Sequence, residues 1–129
     1  MKLLIAINDS KPKPQQRHRH TRAGFTYDPS SQHKKDFIAQ IGSKAPKQPL
    51  KGVISLKVTF AMPFVKKHYR TGRFSGELKP NPPYEYIIKP DIDNLLKFIM
   101  DAGNKILWVD DSQIWKVEME KVYSEIPST

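Results

Sequence analysis

Two aspartates separated by one residue lie within the run Lys89-Pro90-Asp91-Ile92-Asp93-Asn94-Leu95-Leu96-Lys97, in a chain that is otherwise strongly basic. A second acidic pair, Asp110 and Asp111, follows a short apolar stretch further along. Carboxylates repel a phosphate backbone unless a divalent cation lies between them, and such cations prefer oxygen ligands. This group of acids therefore predicts a metal-dependent enzyme that acts on nucleic acid.

The charge of the chain is divided unevenly along its length. The 129 residues carry a net charge of +9, but residues 1–90 hold 18 Lys and Arg against 5 acids, whereas residues 91–129 hold 4 against 8. A basic portion of this size favours a polyanion partner, bound in a salt-dependent way. A soluble basic protein without such a partner remains an alternative. The chain has no cysteine, which excludes disulfides and thiolate metal sites and fits a cytoplasmic protein.

Asp91 and Asp93 can share a metal ion only if they are not both within a regular helix. Residues two apart on a helix point about 200° away from each other. Pro90 favours an extended backbone ahead of the helix, so we expect Asp91 to precede the first turn, with its carboxylate turned towards the helix axis. Lys97 follows Asp93 by one turn and could reach a phosphate beside the metal.

A structural interpretation of the same acids is also open. Asp91 would be only a helix cap, Asp110 and Asp111 would be only turn residues, and Asp111 would then hold no metal. A third possibility concerns the spacing of Asp93, Lys97 and Asp101, which is also that of a solvated ladder of salt bridges along one helix face.

The helices and strands that the sequence predicts, and that must position these acids, indicate a single small α/β (α+β) domain over residues 1–129. We expect a mixed sheet of about four to five strands with two helices packed on it. Period-two alternation or short apolar runs predict the strands, at residues 1–7, 50–62, 84–88, 106–109 and 114–123. One helix is predicted after Asp28, with Phe37, Ile38 and Ile41 on its apolar face. The other is predicted from about Asp91 to Asn104, with Leu95, Phe98, Ile99 and Ala102 on its apolar face.

Two basic segments are candidates for DNA contact. The first, residues 11–22, contains prolines and is predicted to be extended. The second lies within residues 63–83, which lack periodicity and are predicted to form a mobile loop. For both, a solvated segment with incidental charge is an equal alternative. The candidate DNA-binding residues are Lys11, Lys13, Arg17, Arg19, Arg22, Lys66, Lys67, Arg70 and Arg73.

Two motifs, in this order and spacing, resemble the signature of the RusA family of Holliday junction resolvases. They are Lys-Pro-Asp-Ile-Asp-Asn-Leu-Leu-Lys-Phe-Ile-Met-Asp-Ala at residues 89–102 and Leu-Trp-Val-Asp-Asp-Ser-Gln-Ile at residues 107–114. The stretches at 11–14 and 17–22 are similar to the proline-and-arginine segment near the family's amino terminus. The chain departs from the pattern at residues 8–10, where the family has a glycine, and at Gly103, where it has a larger residue.

The resemblance implies a RusA-like fold and a homodimer that acts as a Mg²⁺- or Mn²⁺-dependent endonuclease. Such an enzyme nicks two opposed strands of a four-way DNA junction in recombination and repair, and is bacterial or carried by phages and prophages. Carried over by position, the catalytic and metal-binding acids are Asp91, Asp93 and Asp111, and the required lysine is Lys97. Asp101 and Asp110 match family acids whose role is less defined.

Two other functions remain compatible with the sequence. One is a non-catalytic basic module that binds nucleic acid, in which the acids only cap helices and pair with lysines. The other is a nuclease that cuts flaps or forks instead of four-way junctions.

Overall fold

A computed structural model describes residues 12–16 and 19–125 of the chain. The predicted α/β class is confirmed. The strand predicted at residues 1–7 lies outside the described residues, as do Lys11 and Arg17. In chain order the described elements are β1 (Arg19–His20), β2 (Thr26–Tyr27), α1 (Ser31–Ile41), β3 (Ile54–Pro63), α2 (Ile92–Gly103) and β4 (Ile114–Ser124). Short 3-10 turns occupy Gly42–Lys44, Lys66–His68, Gly72–Phe74 and Asp111–Gln113.

The two long strands form a parallel pair. The register of β3 and β4 runs from Ile54 opposite Ile114 to Pro63 opposite Ser124, with one irregularity after Ile54. Parallel neighbours require a crossover connection, and α2 lies in that connection and packs against β4. The short strands β1 and β2 pair antiparallel in a separate hairpin. The described strands are thus divided between two two-stranded sheets instead of one larger mixed sheet.

Two of the predicted strands are reduced to isolated bridges. In the stretch 84–88, Glu85 bridges Val122 antiparallel, so this segment lines the free edge of β4. In the stretch 106–109, Trp108 bridges Leu50 and Asn104. Both stretches have the apolar residues of a strand. A strand also needs a continuous partner, however, and here the neighbouring backbone runs alongside at single positions only.

The predicted apolar faces of α2 and β3 meet in the core. Leu95, Phe98, Ile99 and Ala102 of α2 are buried, as predicted. The strand predicted at residues 50–62 is observed as β3, beginning at Ile54. Within it Val58 and Phe60 are buried while Lys57 and Thr59 are exposed, as period-two alternation predicts. α1 packs against α2, and the rings of Phe37 and Phe98 meet edge to face with centroids 5.8 Å apart. Within residues 12–16 and 19–125, neither helix has the length and apolar content that a membrane span requires.

Gly103, at the end of α2, allows the close approach of Trp108. A Cβ atom at this position would lie 2.8 Å from Cζ2 of the indole, closer than real side chains tolerate. Trp108 is 3% exposed and belongs to the core cluster. A larger residue at position 103 would therefore require the indole to move. The departure from the family pattern noted in the sequence thus has a local packing reason.

Candidate active site

Asp91 precedes the first turn of α2, as its place after proline predicts. It is the N-cap residue, with an extended backbone (φ −67°, ψ 146°), and Asp93 lies within the first turn. The side chain of Asp91 forms no capping hydrogen bond. Both aspartates are exposed, and neither carboxylate has a hydrogen bond or ion pair with any residue in the described part of the chain. The alternative in which Asp91 serves as a side-chain cap is not seen.

The backbone that delivers Asp91 to this position is fastened to the sheet by Lys121. The Lys121 ammonium donates hydrogen bonds to the carbonyl oxygens of Ile88 (2.9 Å) and Pro90 (2.8 Å). Tyr86, whose N–H donates to the Lys121 carbonyl at 3.0 Å, donates its own hydroxyl to the Lys89 carbonyl at 3.0 Å. Three successive carbonyl groups ahead of Asp91 therefore have fixed partners.

Sequence reasoning missed Lys121 as a positioning residue. The available signal was in β4, where Val117 and Met119 alternate with exposed glutamates and a lysine, Lys121, occupies the next half-buried position. Lys121 is itself half-buried, and its ammonium lies 5.3 Å from the centre of the Tyr86 ring. Because its partners are carbonyl groups of a distant segment, no local pattern could have identified them.

The second acidic pair lies at a turn held by Gln113. The Asp110 N–H donates to the Gln113 side-chain oxygen (2.7 Å), and the Gln113 amide donates to the carbonyls of Leu50 and Gly52, both at 3.0 Å. The turn Asp111–Gln113 is thereby tied to the chain that leads into β3. Gln113, like Lys121, is a positioning residue that the sequence did not single out.

The two acids of this turn have opposite electrostatic surroundings. The Ser112 hydroxyl donates to Asp110 at 2.6 Å, and this bond lowers the pKa of the Asp110 carboxyl. Partial burial raises the pKa of Asp111, and the neighbouring carboxylates of Asp110 and Asp101 raise it further. Ionised Asp111 is therefore under repulsion, which a bound cation would relieve.

Asp101 of α2 forms an ion pair with a residue of α1 and, among the described residues, none with a residue of α2. Its carboxylate lies 3.4 Å from the Lys34 ammonium of α1, which also pairs with Asp28 at 2.6 Å. Among the described residues, Lys97 forms no ion pair with Asp93 or Asp101. The predicted alternative of a salt-bridge ladder along α2 is therefore not formed, and exposed Lys97 has no competing partner there.

The acids are not gathered into a closed cluster. In residues 12–16 and 19–125 no group of three or more His, Asp or Glu side chains lies close enough together to hold a metal ion. The structure brings Asp111 near Asp101 and Asp110, and it places Asp91 and Asp93 together at the start of α2. The assignment of Asp91, Asp93 and Asp111 to one metal site stays a prediction, although carboxylate oxygens without partners suit a hard divalent cation.

The amino-terminal basic segment passes directly over α2. The Gln15 N–H donates to the carbonyl of Asn94, the residue after Asp93, at 2.9 Å. The Gln15 side-chain amide donates to Asp28 at 2.9 Å, and the Gln16 N–H donates to the Ser30 hydroxyl at 2.9 Å. Exposed Lys13 precedes Gln15 by two residues, and Gln15 is bonded to the helix that carries the acids.

The second basic segment has turns of its own. Arg70 pairs with Glu77 at 2.7 Å, and both Arg70 and Arg73 place their guanidinium groups over the ring of Phe74, at 4.0 and 4.8 Å. A bridge between Tyr69 and Leu78 closes the segment. The predicted mobility of residues 63–83 stays a prediction. The four cationic side chains predicted to bind DNA are all exposed, at Lys66, Lys67, Arg70 and Arg73.

Comparison with known proteins supports the family resemblance that the two acidic motifs indicate. The family model for endodeoxyribonuclease RusA matches residues 9–129. An uncharacterized protein of Bacillus subtilis, YqaN, is 32% identical over 103 residues, which cover 75% of this chain and 68% of that protein. No solved structure matches the chain. Because the family model spans nearly the whole sequence, this chain belongs to the RusA family of endodeoxyribonucleases.

Proposed function

We propose that this protein is a divalent-metal-dependent endonuclease that cuts four-way DNA junctions. The observation that carries the proposal is the pair of exposed carboxylates of Asp91 and Asp93 at the start of α2. They have no hydrogen-bond or ion-pair partner among the described residues, and Lys121 fastens the backbone that precedes them. In a protein of net charge +9 that binds a polyanion, such acids oppose binding unless they hold a cation. Membership of an endodeoxyribonuclease family supports the same conclusion.

Asp91, Asp93 and Asp111 would hold Mg²⁺ or Mn²⁺. The first two have no hydrogen-bond or ion-pair partner among the described residues that would have to be displaced. Asp111 has a raised pKa because of partial burial and neighbouring carboxylates, so a cation beside it would favour its ionised form. The chemistry that the metal supplies when bound is activation of a water molecule and stabilisation of charge on the phosphate.

Lys97 would act on the substrate itself. It follows Asp93 by one helical turn, is exposed, and makes no ion pair with the described residues. Its ammonium group would offset the negative charge that grows on the phosphate as the phosphodiester bond is broken. This role requires a positive charge at a set place, which a helix position provides.

The basic segments would hold the DNA backbone without reading its sequence. Lys13, Arg19 and Arg22 are exposed near the amino-terminal end, and Lys66, Lys67, Arg70 and Arg73 are exposed in the second segment. Lys11 and Arg17 are proposed for the same role from the sequence. A homodimer would supply two active sites related by a two-fold axis, which matches two opposed cuts in one junction.

The experiment that tests the proposal compares three DNA substrates. A synthetic four-way junction, a duplex of matching sequence and a replication-fork structure are each incubated with the protein, with Mg²⁺ and with a chelator. We expect paired nicks in the junction when Mg²⁺ is present and no cutting when the chelator is present. Cutting of the fork in preference to the junction would change the substrate, and binding without cutting under any condition would make the protein a non-catalytic module.

A further inference from the structure

The hairpin formed by β1 and β2 presents an aromatic side chain that the proposed chemistry does not use. Phe25, at the hairpin turn, is 70% exposed, and Tyr27 of β2 is 46% exposed. Neither ring belongs to the core cluster or to the side chains packed against it. A single exposed ring is ordinary on a protein surface, so the charge and the backbone around Phe25 must show whether it fits a partner.

The charged side chains of the hairpin are positive. Arg19 and Arg22 lie on it and are exposed. The sequence has no acidic residue from Pro12 to Tyr27. Rings interleaved with cations suit single-stranded or unstacked nucleic acid, because the cations meet phosphates and a ring stacks on a base.

The local backbone holds Phe25 at the turn. The Thr21 N–H donates to the Phe25 carbonyl (2.7 Å), and the Phe25 N–H donates to the Thr21 hydroxyl (3.1 Å). Gly24, with a φ of +85°, makes the tight turn possible. The ladder continues with His20 opposite Thr26 and Arg19 opposite Tyr27. Because strand side chains alternate, Phe25 and Tyr27 share one side with Arg19.

The base of the hairpin is fixed to the body that carries the acids. Asp28, the residue after β2, accepts hydrogen bonds from the Gln15 amide (2.9 Å), the Ser30 N–H (2.9 Å) and the Lys34 ammonium (2.6 Å). Lys34 in turn reaches Asp101 of α2. The hairpin therefore has a fastened base and an exposed tip, the arrangement of an element that meets a partner while the body stays in place.

We propose that Phe25 stacks on an unpaired or unstacked base at the branch point of the DNA substrate, flanked by phosphate contacts from Arg19 and Arg22. The inference rests on the proposed function, because a branch point supplies bases with open faces that an intact duplex does not. It assigns recognition of branched over linear DNA to the hairpin. The acids and Lys97 then act at the phosphodiester bond.

The test measures affinity without cleavage. Binding of an immobile four-way junction and of a matching duplex is measured with a chelator present for the wild type, Phe25→Ala, Phe25→Trp and Arg22→Gln. We expect Phe25→Ala to weaken junction binding by about tenfold or more, since stacking of one base on a ring contributes on that order. Duplex affinity should be unchanged, and Phe25→Trp should restore junction affinity. Arg22→Gln should weaken both substrates alike, because phosphate contacts do not distinguish them.

A second measurement locates the contact. Iodouracil placed at the branch point should crosslink, on irradiation, to the peptide that contains Phe25. Unchanged junction binding by Phe25→Ala, an equal loss for junction and duplex, or crosslinking confined to another peptide would each overturn the inference. These results are distinct from a failure of the proposed function, which would appear first as a wild-type protein that does not prefer junction to duplex.

Discussion

The segment that leads to Asp91 and the hairpin that carries Phe25 both expose polar or aromatic groups to solvent, but they are built differently. Ahead of Asp91, three carbonyl groups are held by Lys121 and Tyr86, and the helix that follows buries its apolar face in the core. Among the described residues, the hydrogen bonds of the hairpin tip stay within the hairpin and join Thr21 to Gly24 and Phe25. A group that must act on one phosphate needs a fixed backbone, whereas a group that meets a deformable branch point does not.

The largest expected effect is on the free energy of unfolding, and it compares a core residue of α2 with a residue at the tip of the hairpin. Phe98 of α2 is 2% exposed and meets Phe37, so Phe98→Ala should lower the free energy of unfolding by about 3–5 kcal/mol. Phe25→Ala should change it by less than about 0.5 kcal/mol, since its ring is mostly in water. Urea denaturation measures both. A similar cost for the two substitutions would contradict the distinction between a core-anchored and a free element.

The next prediction concerns the proposed metal-binding acids. Asp91→Asn should slow single-turnover cutting of a junction in Mg²⁺ by about 100-fold or more, because even the outer partners of metal ligands affect activity by 10–100-fold. Junction binding with a chelator should be equal or tighter, since a repulsive charge is lost. Asp36→Asn, which changes an exposed aspartate of α1, is the matched control and should cut normally. Weaker binding by Asp91→Asn would indicate a structural role for Asp91 instead.

Removal of the Lys121 ammonium should loosen the backbone ahead of Asp91 and make it more like the hairpin tip. Lys121→Met leaves the carbonyls of Ile88 and Pro90 without their charged donor and should cost about 1–3 kcal/mol in unfolding free energy. Cutting should slow while junction affinity is kept, because only the acid-bearing segment loosens. Lys116→Met on the same strand is the control, since the exposed pair of Lys116 with Glu118 contributes little. Equal effects of both substitutions on cutting would refute the anchoring role.

The smallest expected effect depends on pH and tests the base of the hairpin. Burial alone would raise the pKa of Asp28, but hydrogen bonds from Lys34, Ser30 and Gln15 together lower it below the ordinary 3.8. A carboxyl whose folded pKa is lowered stabilises the fold above its unfolded pKa, and this contribution is lost as the pH falls through the folded value. Asp28→Asn should therefore destabilise the protein by about 1 kcal/mol at pH 7.

The pH dependence of that difference is the decisive measurement. Thermal unfolding of wild type and Asp28→Asn should differ at neutral pH and converge as the pH falls below 3.8. A difference that persists unchanged in acid would mean that Asp28 acts through shape and not through charge. The Asp36→Asn variant should follow the wild type over the same range.

Much of the scaffold could be predicted from local pattern. The alternation in β3 and the apolar face of α2 identified the buried residues, because the period of a strand or helix determines which side chains share a face. The position of Asp91 ahead of α2 followed from Pro90. The stretches 84–88 and 106–109 were predicted as strands and proved to be isolated bridges, because pairing depends on a partner that the local sequence does not contain.

The acids of the candidate site could be predicted from the sequence, but the residues that position their backbone could not. Asp91, Asp93 and Asp111 were chosen by type and spacing, and their shared metal role stays a prediction. Lys121 and Gln113 were missed because each bonds to carbonyl groups far away in sequence, 31 residues away for Pro90 and 63 for Leu50. Every residue has such a carbonyl group, so nothing in the sequence marks which ones will be used.

The sequence by itself determined the division of charge, the two acidic motifs, the family, and the side of each long element that faces the core. These follow from residue type and from the fixed periods of helix and strand. Only the tertiary structure decided that Asp101 pairs with Lys34, that Lys121 fastens the approach to Asp91, and that Phe25 has an exposed place on a basic hairpin. Those outcomes depend on which distant groups come within bonding distance, and chain folding alone determines that.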